Sequence, residues 1–319
     1  MPTHSMALRV QNSNSWGPGG GVRRERGAGG GRNARREVDR WGVTPVPSIP
    51  IGIALGTIGL DGDAWLRAAS RLAAAPIDRI WIWDHLMGRG APERPVLEAT
   101  TLAAAVLAQH PTLQVGTLVL DVSKRHPALT AKIAATLDAI APGRFTLGLG
   151  AGGDSSEHDA LGMPYGDVAD RIAALKSQVA LAKAMLHGSP TERITQEGPT
   201  ALRDAASAPR PGTRLRLLVA GDHPSSIRLA GTEADEWVAP AASFADGLQQ
   251  LRSHERGVRV HAHLLHELSA TGTFATTPFG QDPAGTVAAA ATAGADGLIV
   301  TVRTERDVEE AITAIVKLG

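Results

Sequence analysis

Apolar residues in this chain fall into two alternating patterns. Short unbroken runs suit strands buried on both faces, and longer stretches with apolar residues every three or four positions suit helices packed on one side. The runs Ile49–Leu55, Arg79–Trp83, Gln114–Leu120, Phe145–Gly150, Leu215–Ala220, Glu236–Val238, Val258–Leu264 and Gly297–Thr301 read as strands. Helices are predicted between them. The first runs from a cap at Asp61 or Asp63 to Ala75, with Trp65, Leu66, Ala69 and Leu72 on one face. Others run from Pro95 through Ala108, over Asp167–His187, Ser225–Gly231, Phe244–Arg256 and Pro283–Ala293, and from Glu305 to Leu318.

The most legible stretch is Gln114 to Gly153. After its first strand, His126-Pro127 starts a helix because Pro suits the first helical position. Leu129, Ile133, Leu137 and Ile140 give that helix an apolar face, and Pro142-Gly143 stops it before Phe145. Two buried strands joined by a helix form a βαβ unit, hence parallel strands. Eight strands alternating with helices predict a (β/α)8 TIM barrel, with an open doubly wound sheet as the alternative.

Composition narrows the classes. The chain has 319 residues and 43% of them are apolar, which excludes wholesale disorder, and no run approaches the length of a membrane span. Without cysteine there is no disulfide, thiolate zinc site or cysteine nucleophile, which fits a reducing cytoplasm. The net charge of zero hides an asymmetry: residues 1–42 hold eight arginines against three acids, so the remainder carries the balancing negative charge. Residues 1–47, Gly/Arg-rich and without apolar periodicity, are expected to be a disordered tail, leaving 48–319 as the barrel domain. No apolar stretch follows the tail's charges, so no secretory leader is expected. Only Trp16 and Trp41 interleave its arginines, so nucleic acid is not an expected partner.

In a barrel of this kind the chemistry gathers at the C-terminal ends of the strands. Strand two ends in Asp84-His85, where an imidazole beside a carboxylate can move protons near neutral pH, or where Asp84 simply caps a turn. Strand four ends in Gly148-Leu149-Gly150-Ala151-Gly152-Gly153, which matches G-x-G-x-x-G. The following Asp154-Ser155-Ser156-Glu157-His158-Asp159 does not read as the buried helix start a dinucleotide site requires. A backbone loop that lets a flat ring approach is the better reading. Strand five ends in Ala220-Gly221-Asp222-His223-Pro224, where a helix N-terminus can meet an anion, or where Asp222 and Ser225 are only caps. His261 and His263 share one face of strand seven, a pair that could hold a metal, although no carboxylate pattern completes such a site and none is assigned.

Arg125-His126-Pro127, Ala131-Lys132, Leu137-Asp138 and the run Pro142-Gly143-Arg144-Phe145-x-Leu147-Gly148-x-Gly150-x-Gly152 together resemble the signature of the luciferase-like monooxygenase family. The resemblance implies a coenzyme F420-dependent oxidoreductase passing hydride to or from a small organic substrate. The alternatives are an FMN-dependent monooxygenase using molecular oxygen, and a degenerate non-catalytic coenzyme-binding barrel. It implies that Asp84 approaches the coenzyme ring and that His85 handles a proton. Leu118 and Val119 would press on the ring through a bulge with a non-proline cis peptide. Gly150, Ala151, Gly152 and Gly153, with Ala220, Gly221, Asp222 and His223, would bind the rest of the coenzyme. Deazaflavin relatives often carry a catalytic Glu near Gly153, and this chain departs from that pattern. Glu157 and Arg171 match a Glu and an Arg common in the family, as ligands or as a loop-anchoring pair. The resemblance covers about Ile51 to Val238 and implies a homodimer.

Overall fold

The computed structural model describes residues 9–11 and 49–319, apart from 89, 190–192, 198–199, 213 and 270–271. The expected tail, 1–47, lies outside the described residues except at Arg9–Gln11, which pairs antiparallel with Arg193–Gln196.

Eight parallel strands form the body: Ile51–Leu55, Arg79–Ile82, Gln114–Thr117 with its continuation Leu120–Asp121, Phe145–Gly150, Arg216–Ala220, Glu236–Pro240, His261–His266 and Gly297–Val302. Sequence neighbours are spatial neighbours throughout, and the eighth strand pairs with the first from Leu298 to Val302. The sheet therefore closes on itself as a (β/α)8 barrel, and the open-sheet alternative is set aside. Closure requires strands buried on both faces. The first, fourth and eighth strands are buried at every residue, which is why they read as unbroken apolar runs.

The barrel interior is filled in layers. At the N-terminal end the fill is polar. The Arg79 guanidinium, 2% exposed, donates to Thr146 at 2.8 Å and to both oxygens of Glu236 at 2.9 and 3.1 Å. His263 stands 3.0 Å from the same carboxylate, and Arg216 and Gln114 extend the network. Above this floor lies an apolar layer of Ala54, Trp81, Leu218, Val238 and Ile299. Trp81 is the large member, and the face of its ring meets the Arg79 guanidinium 4.8 Å from the ring centre. It also explains Gly52: a methyl group there would come within 2.6 Å of the indole nitrogen. The C-terminal end is left open as a cavity.

The motif arginine Arg144 serves the scaffold. It donates to the carbonyls of Leu107, His110 and Leu113 at 2.7–2.9 Å, where the helix Ala99–Gln109 ends.

Several boundaries differ from the sequence expectation. The seventh strand starts at His261, because Val258 is 72% exposed in the loop before it. The helix expected from Pro95 begins at Ala99, because Glu98 caps it by accepting from Thr100 and Thr101. In the helix Pro127–Ile140, Leu129 and Ile140 are about half exposed, and the buried face is Thr130, Ala131, Ala134, Ala135, Leu137 and Asp138. Small residues pack that face, which a count of large aliphatic residues overlooks. The hairpin Arg193–Gln196 with Leu202–Ala205 and the helix Ser155–Leu161 were not anticipated. No helix among the described residues is long and apolar enough to cross a membrane.

The floor fixes a pH dependence. Burial raises the Glu236 carboxyl, but the hydrogen bond from His263 and the charge of Arg79 outweigh it and hold it at about 2. The folded value lies below the unfolded one, so the stabilisation is fully present above pH 4.5 and is lost as pH falls toward 2. The loss should reach about 3 kcal/mol in urea unfolding followed from pH 7 downward. Arg79→Met, which leaves Glu236 buried without its guanidinium, should cost ~3–5 kcal/mol at pH 7 by the same measurement.

Candidate active site

A cavity of about 430 Å³ opens at the C-terminal mouth of the barrel. Asp84, His85, Leu118, Val119, Gly150, Ala151, Gly152, Gly153, Ala220, Gly221, Asp222 and His223 all line it, so four separate strand ends converge on one space. The volume lies within the range of small-molecule and cofactor sites.

The third strand interrupts its ladder at Leu118–Val119, where the peptide bond is cis, and resumes at Leu120. This turns both side chains toward the cavity as its apolar wall, with Ala151 and Ala220 completing it. The fourth strand must then pass close by. A methyl group on Gly150 would come within 2.5 Å of Val119, and one on Gly152, at φ +77°, within 2.6 Å of the Asp121 carboxylate. Gly153 differs: a methyl group there would meet nothing within 4 Å, so its missing side chain leaves open space at the cavity edge.

Asp84 does not present a bare carboxylate to that space. Its oxygens accept from Arg125 at 2.6 and 2.7 Å as a bidentate pair, and one also accepts from the backbone N–H of Asp121 at 3.0 Å. Arg125 reaches on to Glu98 at 2.8 Å. Burial raises the Glu98 carboxyl, and the hydrogen bonds from Thr101, Thr100 and Arg125 outweigh it to about 2. The cluster is thus internally paired, and it ties the second and third strand ends to the helix Ala99–Gln109.

A second cluster positions His85. Glu157 is 5% exposed and accepts from the N–H groups of Leu86 and Met87 and from Lys124 at 2.7 Å. Burial raises its carboxyl, but Lys124 and the two backbone donors outweigh this and lower it. The oxygen that accepts from Lys124 also faces His85, whose Nδ1 is 3.5 Å away. The His85 ring stands edge-on to Trp83 at 6.1 Å. Lys124 also donates to the Asp84 carbonyl, so the mouth loop and the strand end move as one piece.

Glu157 belongs to the helix Ser155–Leu161, which begins two residues beyond the third glycine under an Asp154 cap. The buried side chains of this seven-residue helix are Glu157 and His158 rather than aliphatic ones, so no hydrophobic period announces it. His158 meets Asp121 at 3.2 Å and stacks near Tyr165, over which Arg171 lies. Arg171 donates to the Ala151 carbonyl at 3.0 Å, so it pins the glycine loop rather than pairing with Glu157. At the fifth strand, His223 is itself the helix cap, its Nδ1 accepting from Ser225 at 3.2 Å, while Ser226 lies buried at the cavity wall. On the seventh strand, His263 turns inward to Glu236 and His261 is exposed, so the two imidazoles do not share a partner.

Lys124 and Arg125 were missed as site residues by sequence reasoning. The signal available was their position, two adjacent cations directly after the third strand, facing acids that end other strands.

A family model described as luciferase-like monooxygenase matches residues 51–277. Among curated proteins, F420-dependent glucose-6-phosphate dehydrogenase of Beutenbergia cavernae is 36% identical over 173 residues, which is 50% of this chain and 46% of that protein. F420-dependent hydroxymycolic acid dehydrogenase of Mycobacterium tuberculosis is 28% identical over 233 residues, 69% of this chain and 60% of that one. The chain thus spans about half the length of the first of these relatives. A solved F420-dependent secondary alcohol dehydrogenase, in complex with an F420-acetone adduct, superposes with a TM-score of 0.70 at 16% identity, covering 86% of this chain and all of that one.

The close approach at Gly150 gives a direct test of the wall. Gly150→Ala should destabilise the protein by about 1–3 kcal/mol through overpacking against Val119, and adding Val119→Ala should recover most of that loss, both read from urea unfolding midpoints.

Proposed function

The chain belongs to the luciferase-like monooxygenase family, and from that premise we propose that it is a coenzyme F420-dependent oxidoreductase acting on a small organic substrate. The observation that carries this reading is the cavity in which one apolar wall, a glycine loop and an imidazole meet. The F420-dependent curated relatives support the choice of deazaflavin over FMN.

The residues present fit such a coenzyme. Leu118, Val119 and Ala220 offer an apolar surface for one face of a flat ring, and the space beside Gly153 admits its edge. Ala151 and Gly152 line the same loop, while Gly221, Asp222, His223 and Ser226 offer polar contacts for the side chain and its phosphate. When bound, the deazaflavin ring supplies hydride transfer, and the protein's share is position and electrostatics.

In that share, His85 holds or moves a proton at the imidazole edge facing the cavity. Glu157 fixes its orientation from the other side. Asp84, paired with Arg125, holds the strand end that carries His85. Because Gly153 stands where deazaflavin relatives often carry an acid, the proton-handling role falls to His85 at the cavity wall.

Titrating the purified chain with oxidised coenzyme F420 and with FMN side by side, by fluorescence, should show saturable and selective binding of F420. Selective FMN binding would shift the reading to an FMN-dependent monooxygenase, and binding of neither would favour a non-catalytic barrel. Gly153→Leu should weaken F420 binding about tenfold or more with an unchanged unfolding midpoint, since its side chain enters open space. His85→Ala should leave the F420 affinity within about threefold and lower turnover about a hundredfold once a substrate is found.

A further inference from the structure

A second cavity, of about 1260 Å³, adjoins the first across a wall formed by Trp83, His85, Leu118 and Glu267. We propose that it is the substrate chamber and that it contains a subsite for an oxyanion carried by the substrate, a phosphate or carboxylate group, formed by Arg94, Arg303 and the hydroxyl of Thr301. The proposal deepens the oxidoreductase reading and rests on it for the word substrate; the anion subsite itself does not.

The argument starts with charge. Arg94 and Arg303 both line the chamber. Arg306, Asp307 and Glu267 are the other charged residues of the lining. Arg306 pairs with Glu310 at 2.8 Å, and Asp307 accepts from the N–H groups of Phe274, Arg303 and Thr304 at 3.0–3.1 Å. Glu267, exposed at the shared wall, is the acid left facing both cavities. Three arginines against two carboxylates, Glu267 and Asp307, leave the lining with an excess of one positive charge.

The two arginines are also near enough to feel each other. Burial lowers the Arg303 guanidinium, Asp307 opposes that, and the charge of Arg94 lowers it further. A bound oxyanion would relieve this repulsion and accept hydrogen bonds from both.

Neither group is placed by chance. Arg303 is steadied by donating to the Ser269 carbonyl while it faces the chamber. Arg94 sits on the mouth loop, and that loop is stitched to the end of the first strand. Ile58 bridges Val96, the Gly59 N–H donates to the Pro95 carbonyl at 2.8 Å, and the Leu97 N–H donates to the Thr57 carbonyl at 3.1 Å.

The third member supplies an independent sign of a ligand. Thr301, at the end of the eighth strand, is 1% exposed and lines this chamber, yet its hydroxyl has no hydrogen-bond partner among the described residues. A buried hydroxyl left unpaired is unfavourable, and an oxyanion at this wall would accept its proton.

The test titrates inorganic phosphate and, separately, acetate into the full chain by calorimetry. Saturable binding of at least one anion is expected. The tighter of the two identifies the substrate's group as phosphate or carboxylate. Arg94→Glu, on an exposed side chain that leaves the core untouched, should weaken binding about tenfold or more, and Thr301→Val should weaken it several-fold. Arg303→Gln should act like Arg94→Glu, and Arg94→Glu decides the matter if Arg303→Gln does not fold. Arg228→Gln, exposed and outside both cavities, should change nothing, and His223→Ala shows whether the anion sits instead at the contacts assigned to the coenzyme. No saturation by either anion below about 50 mM would overturn the proposal, as would undiminished affinity in Arg94→Glu or a loss confined to His223→Ala. Coenzyme F420 titrated into the same proteins separates the two readings. Failure of wild-type protein to bind F420 counts against the oxidoreductase assignment alone, whereas F420 binding without anion binding counts against the subsite alone.

Discussion

A closed eight-stranded barrel has an interior that its own side chains must fill, and in this protein everything else follows from how that filling is divided. The floor is an ion pair, Arg79 with Glu236, braced by Thr146 and His263. Two buried charges of this kind are tolerable only because nearly every polar atom around them finds a partner. With the floor and the Trp81 layer in place, the remaining volume lies at one end, where the strand termini can turn their side chains into a shared space. The cavity is thus the unfilled remainder of a barrel packed from the bottom up.

At that end, charge pairing does the work that packing does below. Asp84 with Arg125, and Glu157 with Lys124, join loops from the second, third and fourth strands without any contribution from aliphatic burial. These pairs spend the chemistry of four ionisable groups on position. His85, held by them at the shared wall, lies between a chamber suited to a flat ring and a chamber lined by arginines.

Much of this was legible in the sequence. The eight strands were found because burial on both faces writes unbroken apolar runs, and the order of elements gave the barrel. The strand-end residues Asp84-His85, Leu118-Val119, Gly150 to Gly153 and Ala220 to His223 do meet in one cavity. What escaped has a common cause. The helix Ser155–Leu161 buries a carboxylate and an imidazole, so it writes no apolar period, and the helix Pro127–Ile140, itself legible, buries a face of alanines and an aspartate that its large aliphatic residues do not mark. Arg125 and Lys124 gain their meaning only from partners about 30 to 40 residues away, which no local pattern can express.

Arg144 sits inside the very run by which the family is recognised, yet its guanidinium holds three carbonyls at the end of the neighbouring helix Ala99–Gln109, and none of them faces the cavity. This part of the signature therefore records how one helix is fastened to the next strand. Evolution can exchange the residues around the mouth, and with them the compound transformed, while this fastening stays as it is. A chain can keep this fastening and still differ in what it acts upon, even though Gly150 and Gly152 of the same run line the cavity.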